Sequence, residues 1–283
     1  MSLTGYHRPA TVDEAIALLA ADAEARPIAG GATLVAMLNA RVIEPPALVS
    51  LAGIAELQGL SPMTDGSVRI GAFTRHRDTA ASALLIGTLA VLRDAAGQIA
   101  NATVRNMGTI GGSIAFADPG LDYPPALVAS GAEIEIAGPG GRRRVPAREF
   151  FVDWFTTALQ PGEIVCAVHL PPADARGVGL YVKHARVAGD YATASVAICL
   201  RDDGRVAVAV GGCGPAPLAD AAADAALSAR RDATAIARAG ELLQGIADPL
   251  DDVRGSAEYR RALIPRLLQR AVREAEAAKG RSV

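Results

Sequence analysis

The chain has 283 residues, of which 51% are hydrophobic, so it can bury one large core or two moderate ones and is not a disordered protein. Lys and Arg total 28 against 30 Asp and Glu, a formal charge of −2, and no basic surplus favours a nucleic-acid partner. Residues 1–15 lack the apolar run of a secretory leader, and no segment reaches the roughly 20 apolar residues of a membrane span. We therefore expect a soluble, cytoplasmic protein of two or three compact units.

The first predicted element is a helix over residues 12–25. Thr11 and Glu14 have the spacing of a capping box, in which the hydroxyl caps the helix and the carboxylate reaches back to the amide of the cap. The segment 27–34, Pro-Ile-Ala-Gly-Gly-Ala-Thr-Leu, ends this helix and places two glycines where the backbone must turn. It is typical of a strand end, a glycine turn and a helix start.

Two short strands are predicted next, over 47–51 and 68–73, because turn-forming residues bound both apolar runs. A helix over 79–97 follows them. It precedes the segment 104–115, Val-Arg-Asn-Met-Gly-Thr-Ile-Gly-Gly-Ser-Ile-Ala, in which glycines and small residues expose the backbone. The fold class at this point is mixed α and β.

Two hairpins are predicted in the remainder of the chain. The first pairs 132–137 with 142–145 around a Gly-Pro-Gly-Gly turn, and the second pairs 195–200 with 206–210 around Asp-Asp-Gly. We expect the second hairpin to belong to a separate C-terminal domain. A linker over 171–177 precedes that domain, and helices after residue 217 cover one face of its sheet.

The three cysteines are too few and too far apart for a Cys-x-x-Cys metal or iron–sulfur site, and their odd number argues against a disulfide framework. They are Cys166, Cys199 and Cys213. We expect buried thiols that serve packing. No metal site and no catalytic residue is predicted in this chain, so any iron–sulfur cluster must be held by another one.

Two glycine pairs carry the chemistry, Gly30-Gly31 and Gly111-Gly112. Glycine lets a backbone amide approach a diphosphate without interference from a Cβ, and successive amides form an anion-binding nest. Each pair on its own could equally be an ordinary turn. Neither is a GxGxxG fingerprint or a Walker loop, so a Rossmann fold and a phosphoryl-transfer site are both disfavoured. The residues by themselves predict an anionic cofactor and no more.

Further motifs follow these pairs in a fixed order. The set is 29–34 (Ala-Gly-Gly-Ala-Thr-Leu), 109–113 (Thr-Ile-Gly-Gly-Ser), 117–119 with 122–124 (Ala-Asp-Pro, Asp-Tyr-Pro), 161–165 (Pro-Gly-Glu-Ile-Val), Lys183 in Tyr-Val-Lys-His, 189–192 (Gly-Asp-Tyr-Ala) and 211–217. Together they resemble the FAD-binding medium subunits of the molybdenum hydroxylases, such as carbon monoxide dehydrogenase and xanthine dehydrogenase. The resemblance covers nearly the whole chain.

The resemblance implies an α/β FAD-binding domain of the two-subdomain PCMH type over 1–175, divided into 1–55 and 56–175. A smaller α+β C-terminal domain of the CO dehydrogenase flavoprotein type would follow over 178–283. It further implies noncovalent FAD, with the two glycine segments cradling the diphosphate and their amides as the main donors. The implied cofactor-binding residues are Ala29, Gly30, Gly31, Ala32, Thr33, Leu34, Thr109, Ile110, Gly111, Gly112, Ser113, Asp122, Ile164, Val165, Lys183 and Tyr191.

Individual roles follow from the same resemblance. Thr33 and Thr109 would add hydroxyl hydrogen bonds, and Asp122 would accept from the ribityl or ribose part, unless it caps the helix opened by Pro124 and Pro125. Ile164 and Val165 would pack on the adenine side, Lys183 would lie close to the cofactor and Tyr191 near the isoalloxazine ring. A solvated lysine and a core tyrosine are the alternatives for the last two.

Ser113 is a departure, because the family usually has Asn after the second glycine pair. A hydroxyl has a shorter reach and fewer donors than an amide, so that contact is lost or bridged by water. His76 lies between two arginines and is interpreted as a surface residue without a role. The run Arg142-Arg143-Arg144 is interpreted as a solvated hairpin arm or a subunit contact.

The resemblance therefore implies an oxidoreductase subunit that takes electrons from iron–sulfur clusters and passes them from FAD to an acceptor. A large subunit would hold the molybdenum cofactor, a small subunit would hold two [2Fe–2S] clusters, and the trio would commonly be doubled. Two alternatives remain open: a stand-alone FAD-dependent oxidase or dehydrogenase, and a non-enzymatic FAD-binding assembly protein.

Overall fold

The computed structural model describes residues 5–281, and within this range four β-sheets are covered by helices. The strands are β1 (Gly5–His7), β2 (Arg26–Ile28), β3 (Ala47–Ser50), β4 (Leu60–Pro62), β5 (Val68–Gly71), β6 (Glu133–Gly138), β7 (Gly141–Pro146), β8 (Phe151–Asp153), β9 (Thr156–Thr157), β10 (Ile164–Leu170), β11 (Val178–His184), β12 (Ala194–Leu200) and β13 (Val206–Gly211). The helices are α1 (Val12–Ala21), α2 (Leu34–Asn39), α3 (His76–Ala80), α4 (Ala90–Gly97), α5 (Ala102–Met107), α6 (Ile110–Phe116), α7 (Tyr123–Ser130), α8 (Ala147–Phe150), α9 (Ala221–Ala229), α10 (Ala233–Gly245) and α11 (Ala257–Gly280).

The N-terminal part is a parallel sheet of order β1-β3-β2 with α1 packed on it. Thr11 caps α1 as predicted, since its Oγ1 accepts from the amide of Glu14 at 3.2 Å, but the Glu14 carboxylate accepts at 2.8 Å from the amide of Ala10 and not from that of Thr11. The helix ends four residues earlier than predicted because Asp22 forms a turn, with its Oδ1 accepting from Glu24 N at 2.9 Å. β2, the glycine turn and α2 then follow as predicted.

The middle of the chain forms a sheet of order β4-β5-β10-β6-β7, in which every neighbouring pair is antiparallel. The hairpin predicted over 132–145 is confirmed as β6 and β7. The central strand, β10, was not predicted, because its sequence Ile-Val-Cys-Ala-Val-His-Leu is a continuous apolar run without alternation. All seven of its residues are buried, which explains the missing alternation.

The single helix predicted over 79–97 is wrong. α3 ends at Ala80 and α4 begins at Ala90, with a turn between them in which Gly87 has φ +54°. A Cβ on Gly87 would overlap the carbonyl of Asp174, and the next residue, Thr88, donates its amide to that carbonyl at 3.1 Å. The helix therefore breaks so that the chain can contact the segment 171–177.

The C-terminal sheet has the order β11-β12-β13, and β11 was not predicted. Tyr181, Ala197 and Cys199 point from one face into the core shared with α4 and α7, while Val196 and Ile198 point from the other toward α9, α10 and α11. The segment 171–177 is not a free linker, since the Asp174 carboxylate accepts from the amide of Asp202 at 2.7 Å. The sheet is therefore packed on both faces.

The three cysteines are buried, as predicted, and none is in a disulfide. Burial raises the pKa of each thiol to about 12, so they remain protonated. Among residues 5–281 there is no helix that is both long and apolar enough to span a membrane. The first four residues of the N-terminal stretch 1–15 lie outside the described part of the chain.

Candidate functional site

A cavity of about 530 Å³ lies between the glycine turn after β2, helix α6 and the loop before β12. This volume is within the range of about 300–1,000 Å³ that is usual for small-molecule and cofactor sites. The structure brings most of the predicted site residues to its wall, and two of them, Ile110 and Lys183, do not reach it. The predicted residues that line it are Ala29, Gly30, Gly31, Ala32, Thr33, Leu34, Thr109, Gly111, Gly112, Ser113, Asp122, Ile164, Val165 and Tyr191.

The turn 30–33 supplies unpaired backbone donors to this cavity. Gly31 has φ +75°, a conformation that glycine adopts without strain. The amides of Gly30, Gly31, Ala32 and Thr33 donate to no acceptor within residues 5–281. Successive free amides around a residue of positive φ form a concave nest of partial positive charge, which binds anions. This turn can therefore hold a phosphate group.

The second glycine segment behaves differently. Within it, Ile110 N donates to Thr74 O at 3.0 Å, Gly111 N to Ala72 O at 2.8 Å, Gly112 N to Thr109 Oγ1 at 3.2 Å and Ser113 N to Thr109 O at 3.0 Å. The prediction that the amides of 109–113 are main donors to the cofactor is therefore wrong for 110–113, whereas the amide of Thr109 has no acceptor within residues 5–281. The segment can instead offer the hydroxyl groups of Thr109 and Ser113.

The glycines of the second segment serve close packing. A Cβ on Gly111 would lie 2.6 Å from the Cβ of Ala72, so α6 could not approach the end of β5 with any other residue there. Gly30 in the first turn likewise allows close packing, since a Cβ at this position would overlap the carbonyl oxygen of Met107 at the end of α5. The two glycine segments are thus in direct contact, and together they form one wall of the cavity.

Asp122 lines the cavity and is buried at the start of α7, but its side chain makes no capping hydrogen bond, which excludes that alternative. Its Oδ1 accepts from the Tyr181 hydroxyl at 2.8 Å and lies 2.9 Å from Lys183 Nζ. Burial raises the pKa of Asp122, and the charge of Lys183 opposes that shift. The pairing with Lys183 therefore favours the ionised carboxylate.

Lys183 lies behind the cavity wall, and its side chain is only 5% exposed, so the alternative of a solvated lysine is wrong. Besides Asp122, its ammonium donates to Gln98 O at 2.9 Å and to Asp190 O at 3.0 Å. Three donors thus meet three acceptors, and no proton is left for a ligand. Lys183 fixes the positions of Asp122 and Asp190, both of which line the cavity.

Tyr191 is half-buried where the cavity meets the solvent, and its ring faces the guanidinium of Arg254 at 4.9 Å. Burial raises the pKa of its phenol, so the ring is neutral. It is therefore a partly accessible aromatic wall and not a fully buried core residue.

His76 was interpreted as a surface residue, which is wrong: it is 5% exposed and lines the cavity. Its Nδ1 lies 3.2 Å from the hydroxyl of the fully buried Tyr123. Burial lowers the pKa of His76 to about 4, so it is neutral. The spacing of His76 and Thr79, both buried on α3, was the available signal, and the flanking arginines obscured it.

The arginine run is partly exposed and paired. Arg142 bridges Glu56 and Glu135 at 2.7 and 2.8 Å, and Arg143 pairs with Glu163 at 2.7 Å. Glu163 lines the cavity next to Ile164, and sequence reasoning missed it. The run therefore holds β7 to its neighbours and positions one edge of the cavity.

The anion nest and the cavity of cofactor size define a cofactor-binding protein. Its N-terminal part contains a parallel and an antiparallel sheet, which correspond to two subdomains, and helices cover its C-terminal sheet. The chain belongs to the family described as the FAD binding domain in molybdopterin dehydrogenase, which matches residues 2–173, and residues 180–275 match the CO dehydrogenase flavoprotein C-terminal domain. The resemblance read from the motifs is thereby confirmed.

Individual relatives are similar in sequence to this chain over nearly their whole length. The chain is 37% identical over 280 residues to the carbon monoxide dehydrogenase medium chain of Afipia carboxidovorans, covering 96% of each. It is 33% identical over 280 residues to the glyceraldehyde dehydrogenase medium chain of Sulfolobus acidocaldarius, covering 95% of this chain and 97% of that one. Among solved structures, carbon monoxide dehydrogenase from Hydrogenophaga pseudoflava superposes with a TM-score of 0.92 at 36% identity, covering 96% of this chain and 97% of that chain.

Proposed function

We propose that the cavity binds FAD noncovalently and that the chain is the electron-transfer flavin subunit of a molybdenum hydroxylase. The observation that carries this proposal is the row of unpaired amides at 30–33, placed in a cavity of cofactor size in a chain of this family. An anion nest with an apolar continuation suits a dinucleotide better than a small substrate.

The residues that line the cavity have the chemistry that FAD requires. The free amides of the turn 30–33 would hold the diphosphate, with hydroxyl groups from Thr33, Thr109 and Ser113 around it. Asp122, whose Oδ1 is already engaged, would use its second oxygen toward a cofactor hydroxyl. Ile164 and Val165 would provide an apolar wall, and Tyr191 would cover the opposite end.

Bound FAD supplies the ability to take up two electrons and deliver them to an acceptor. The chain's own contribution is to bind, orient and shield the cofactor. Lys183 favours the ionised form of Asp122 and holds the backbone at Asp190, while the neutral ring of His76 presents a polar surface without a charge in the cavity.

We propose that the iron–sulfur clusters and the molybdenum cofactor lie on partner chains. Each [2Fe–2S] cluster needs four ligands, usually thiolates, whereas the three thiols here are buried, protonated and separate. Within the described residues, one cluster of possible metal ligands occurs, Glu56, Glu135 and Cys166, and Arg142 occupies both carboxylates. The expected partners are a large molybdenum subunit and a small iron–sulfur subunit, with the trio doubled.

We further propose that 1–175 is the FAD-binding domain, with subdomains 1–55 and 56–175, and that 178–283 is the C-terminal domain. The separate sheets support these divisions, since the parallel sheet lies within 5–50 and β11 begins at 178. A cytoplasmic location is also proposed, which three unpaired cysteines favour.

Purification of the chain tests the proposal directly. Acid or heat should release intact FAD, which chromatography distinguishes from FMN and from flavin attached to peptide. The loaded chain should accept electrons from dithionite and fail to oxidise the organic substrate of the complex. Adding both partners should restore turnover, whereas the molybdenum chain alone should not. Full turnover by the isolated chain would instead establish a stand-alone oxidase, and no turnover in any combination would leave an assembly protein.

A further inference from the structure

Arg254 reaches the cavity's aromatic wall from the C-terminal part of the chain. Its guanidinium carbon lies 4.9 Å from the centroid of the Tyr191 ring, and its Nε lies 3.4 Å from Asp190 Oδ1. The side chain is 30% exposed, so it is in contact with both the ring and the solvent. Arg254 itself does not line the cavity.

The turn that carries Arg254 is firmly anchored. Asp252 Oδ1 accepts from the amides of Arg254 at 2.8 Å and Gly255 at 3.2 Å, and also from the guanidinium of Arg260 at 2.5 Å. Arg260 is buried on α11 and donates to Thr193 O at 2.6 Å and to Gly212 O at 2.9 Å. The position of Arg254 is therefore tied to α11 and to the C-terminal sheet.

The backbone of Tyr191 has contacts that do not involve Arg254, although the Asp190 carboxylate oxygen that accepts from its amide also pairs with Arg254. Its amide donates to Asp190 Oδ1 at 2.8 Å, and the carbonyl of Asp190 accepts from Lys183. Gly120 lies against the other side, where a Cβ would be 3.3 Å from the Tyr191 Cβ. Among the described aromatic and cationic groups, only Arg254 faces the Tyr191 ring. Removing Arg254 should thus free the ring without displacing the backbone.

We propose that Arg254 is a positioning residue, which holds the ring of Tyr191 across the mouth of the cavity and so restricts the access of solvent to the cofactor. The part that concerns the cofactor rests on the proposed binding of FAD, whereas the hold on the ring does not. A cation over a ring face at a partly exposed site corresponds to about a two- to fivefold change in population. Opening of the ring should increase by about that factor when Arg254 is replaced.

The hold on the ring is tested on the full chain without flavin, by hydroxyl-radical footprinting with mass spectrometry. Arg254→Met should raise the oxidation rate of Tyr191 about two- to fivefold. The exposed Tyr6 should oxidise at the same rate in all samples and serves as the internal reference. Arg238→Met is the matched control, because Arg238 is an exposed arginine of α10 that pairs with Glu241. Arg254→Lys, which keeps the charge and loses the planar face, should be intermediate.

The effect on the cofactor is tested on the flavin-loaded chain with acrylamide, a neutral quencher of flavin fluorescence. Arg254→Met and Tyr191→Ala should each raise the quenching constant, and the double variant should raise it no further. An unchanged Tyr191 oxidation rate in both Arg254 variants, or additive quenching effects in the double variant, would overturn the proposal. If the chain bound no flavin, the proposed function would fail while the footprinting result would still decide the role of Arg254.

Discussion

Replacing Gly112 by valine should abolish flavin loading and leave the fold intact. Gly112 lies in the first turn of α6 and lines the cavity, facing the first glycine turn. Its φ is not positive, so backbone strain is not the reason for the effect. A Cβ there would lie 3.1 Å from Thr109 Oγ1 and 3.6 Å from Ala29 Cβ. The Cβ therefore requires Thr109 Oγ1 to move by a few tenths of an ångström, and the additional methyl groups of valine would occupy the gap between the two glycine segments.

The magnitude follows from the contacts that valine would block. Hydrogen bonds to a charged partner contribute about 1.5–3 kcal/mol each, so losing two amide contacts to a diphosphate costs about 3–6 kcal/mol. This is a factor of about 10²–10⁴ in the dissociation constant. The helix itself should not suffer, because glycine has a lower helix propensity than valine by a few tenths of a kcal/mol, roughly. The free energy of unfolding without flavin should therefore change little.

The assay is the ratio of visible flavin absorbance to protein absorbance, together with urea unfolding of the flavin-free chain. Gly245→Val is the matched control, since Gly245 ends α10 and a Cβ there has no heavy atom within 4 Å. Ser113→Asn should load normally, because the longer amide restores the family's usual residue. Gly111→Val should instead lower stability, since its Cβ would clash with Ala72. Normal loading of the Gly112→Val chain would refute a diphosphate between these segments.

Three further outcomes are expected. Lys183→Met should lower the free energy of unfolding in urea by about 3–5 kcal/mol, because it leaves Asp122 buried without its counter-ion. Lys279→Met, at a more exposed site, should lower that free energy by less, and equal losses in the two variants would contradict the role of Lys183. Because burial lowers the pKa of His76 from 6.5 to about 4, only the unfolded chain gains this proton as the pH falls through that window. Stability should therefore fall there by up to about 3 kcal/mol, less so in His76→Gln, and identical pH profiles would refute it. A thiol reagent should label no cysteine of the folded chain and all three in urea; rapid labelling of the native chain would contradict the burial of Cys166, Cys199 and Cys213.

Local signals predicted the parts of the fold that depend on neighbouring residues. The capping box at Thr11, the turn 30–33 and the hairpin of β6 and β7 each follow from residue types within a few positions. β10 was missed because a strand buried on both faces has no alternation, and its length alone does not separate it from a helix. The break between α3 and α4 was missed because its cause, the carbonyl of Asp174, lies far away in sequence.

The candidate site was located well by motif and described less well in its chemistry. Which amides are free depends on tertiary partners, and those of 110–113 are taken by Ala72, Thr74 and Thr109. In the same way, the spacing of charges along the chain could not indicate that Lys183 lies behind the cavity wall with all three of its ammonium protons donated to protein acceptors. Burial of a polar side chain is a property of packing, and no pattern along the chain specifies it.

The unequal state of the two glycine segments leads to a last prediction, for hydrogen exchange followed by mass spectrometry. Amides at 30–33 have no acceptor in the described part of the chain, so they should exchange rapidly without flavin and become strongly protected by FAD. Amides at 110–113 are already bonded and should change far less. The family match for the FAD-binding domain ends at residue 173, yet Asp190 and Tyr191 line the same cavity, so peptides over 189–191 should also slow. Equal protection of both glycine segments would refute the assignment of the nest to 30–33. Protection confined to residues before 173 would mean that the loop 189–191 does not contact the cofactor.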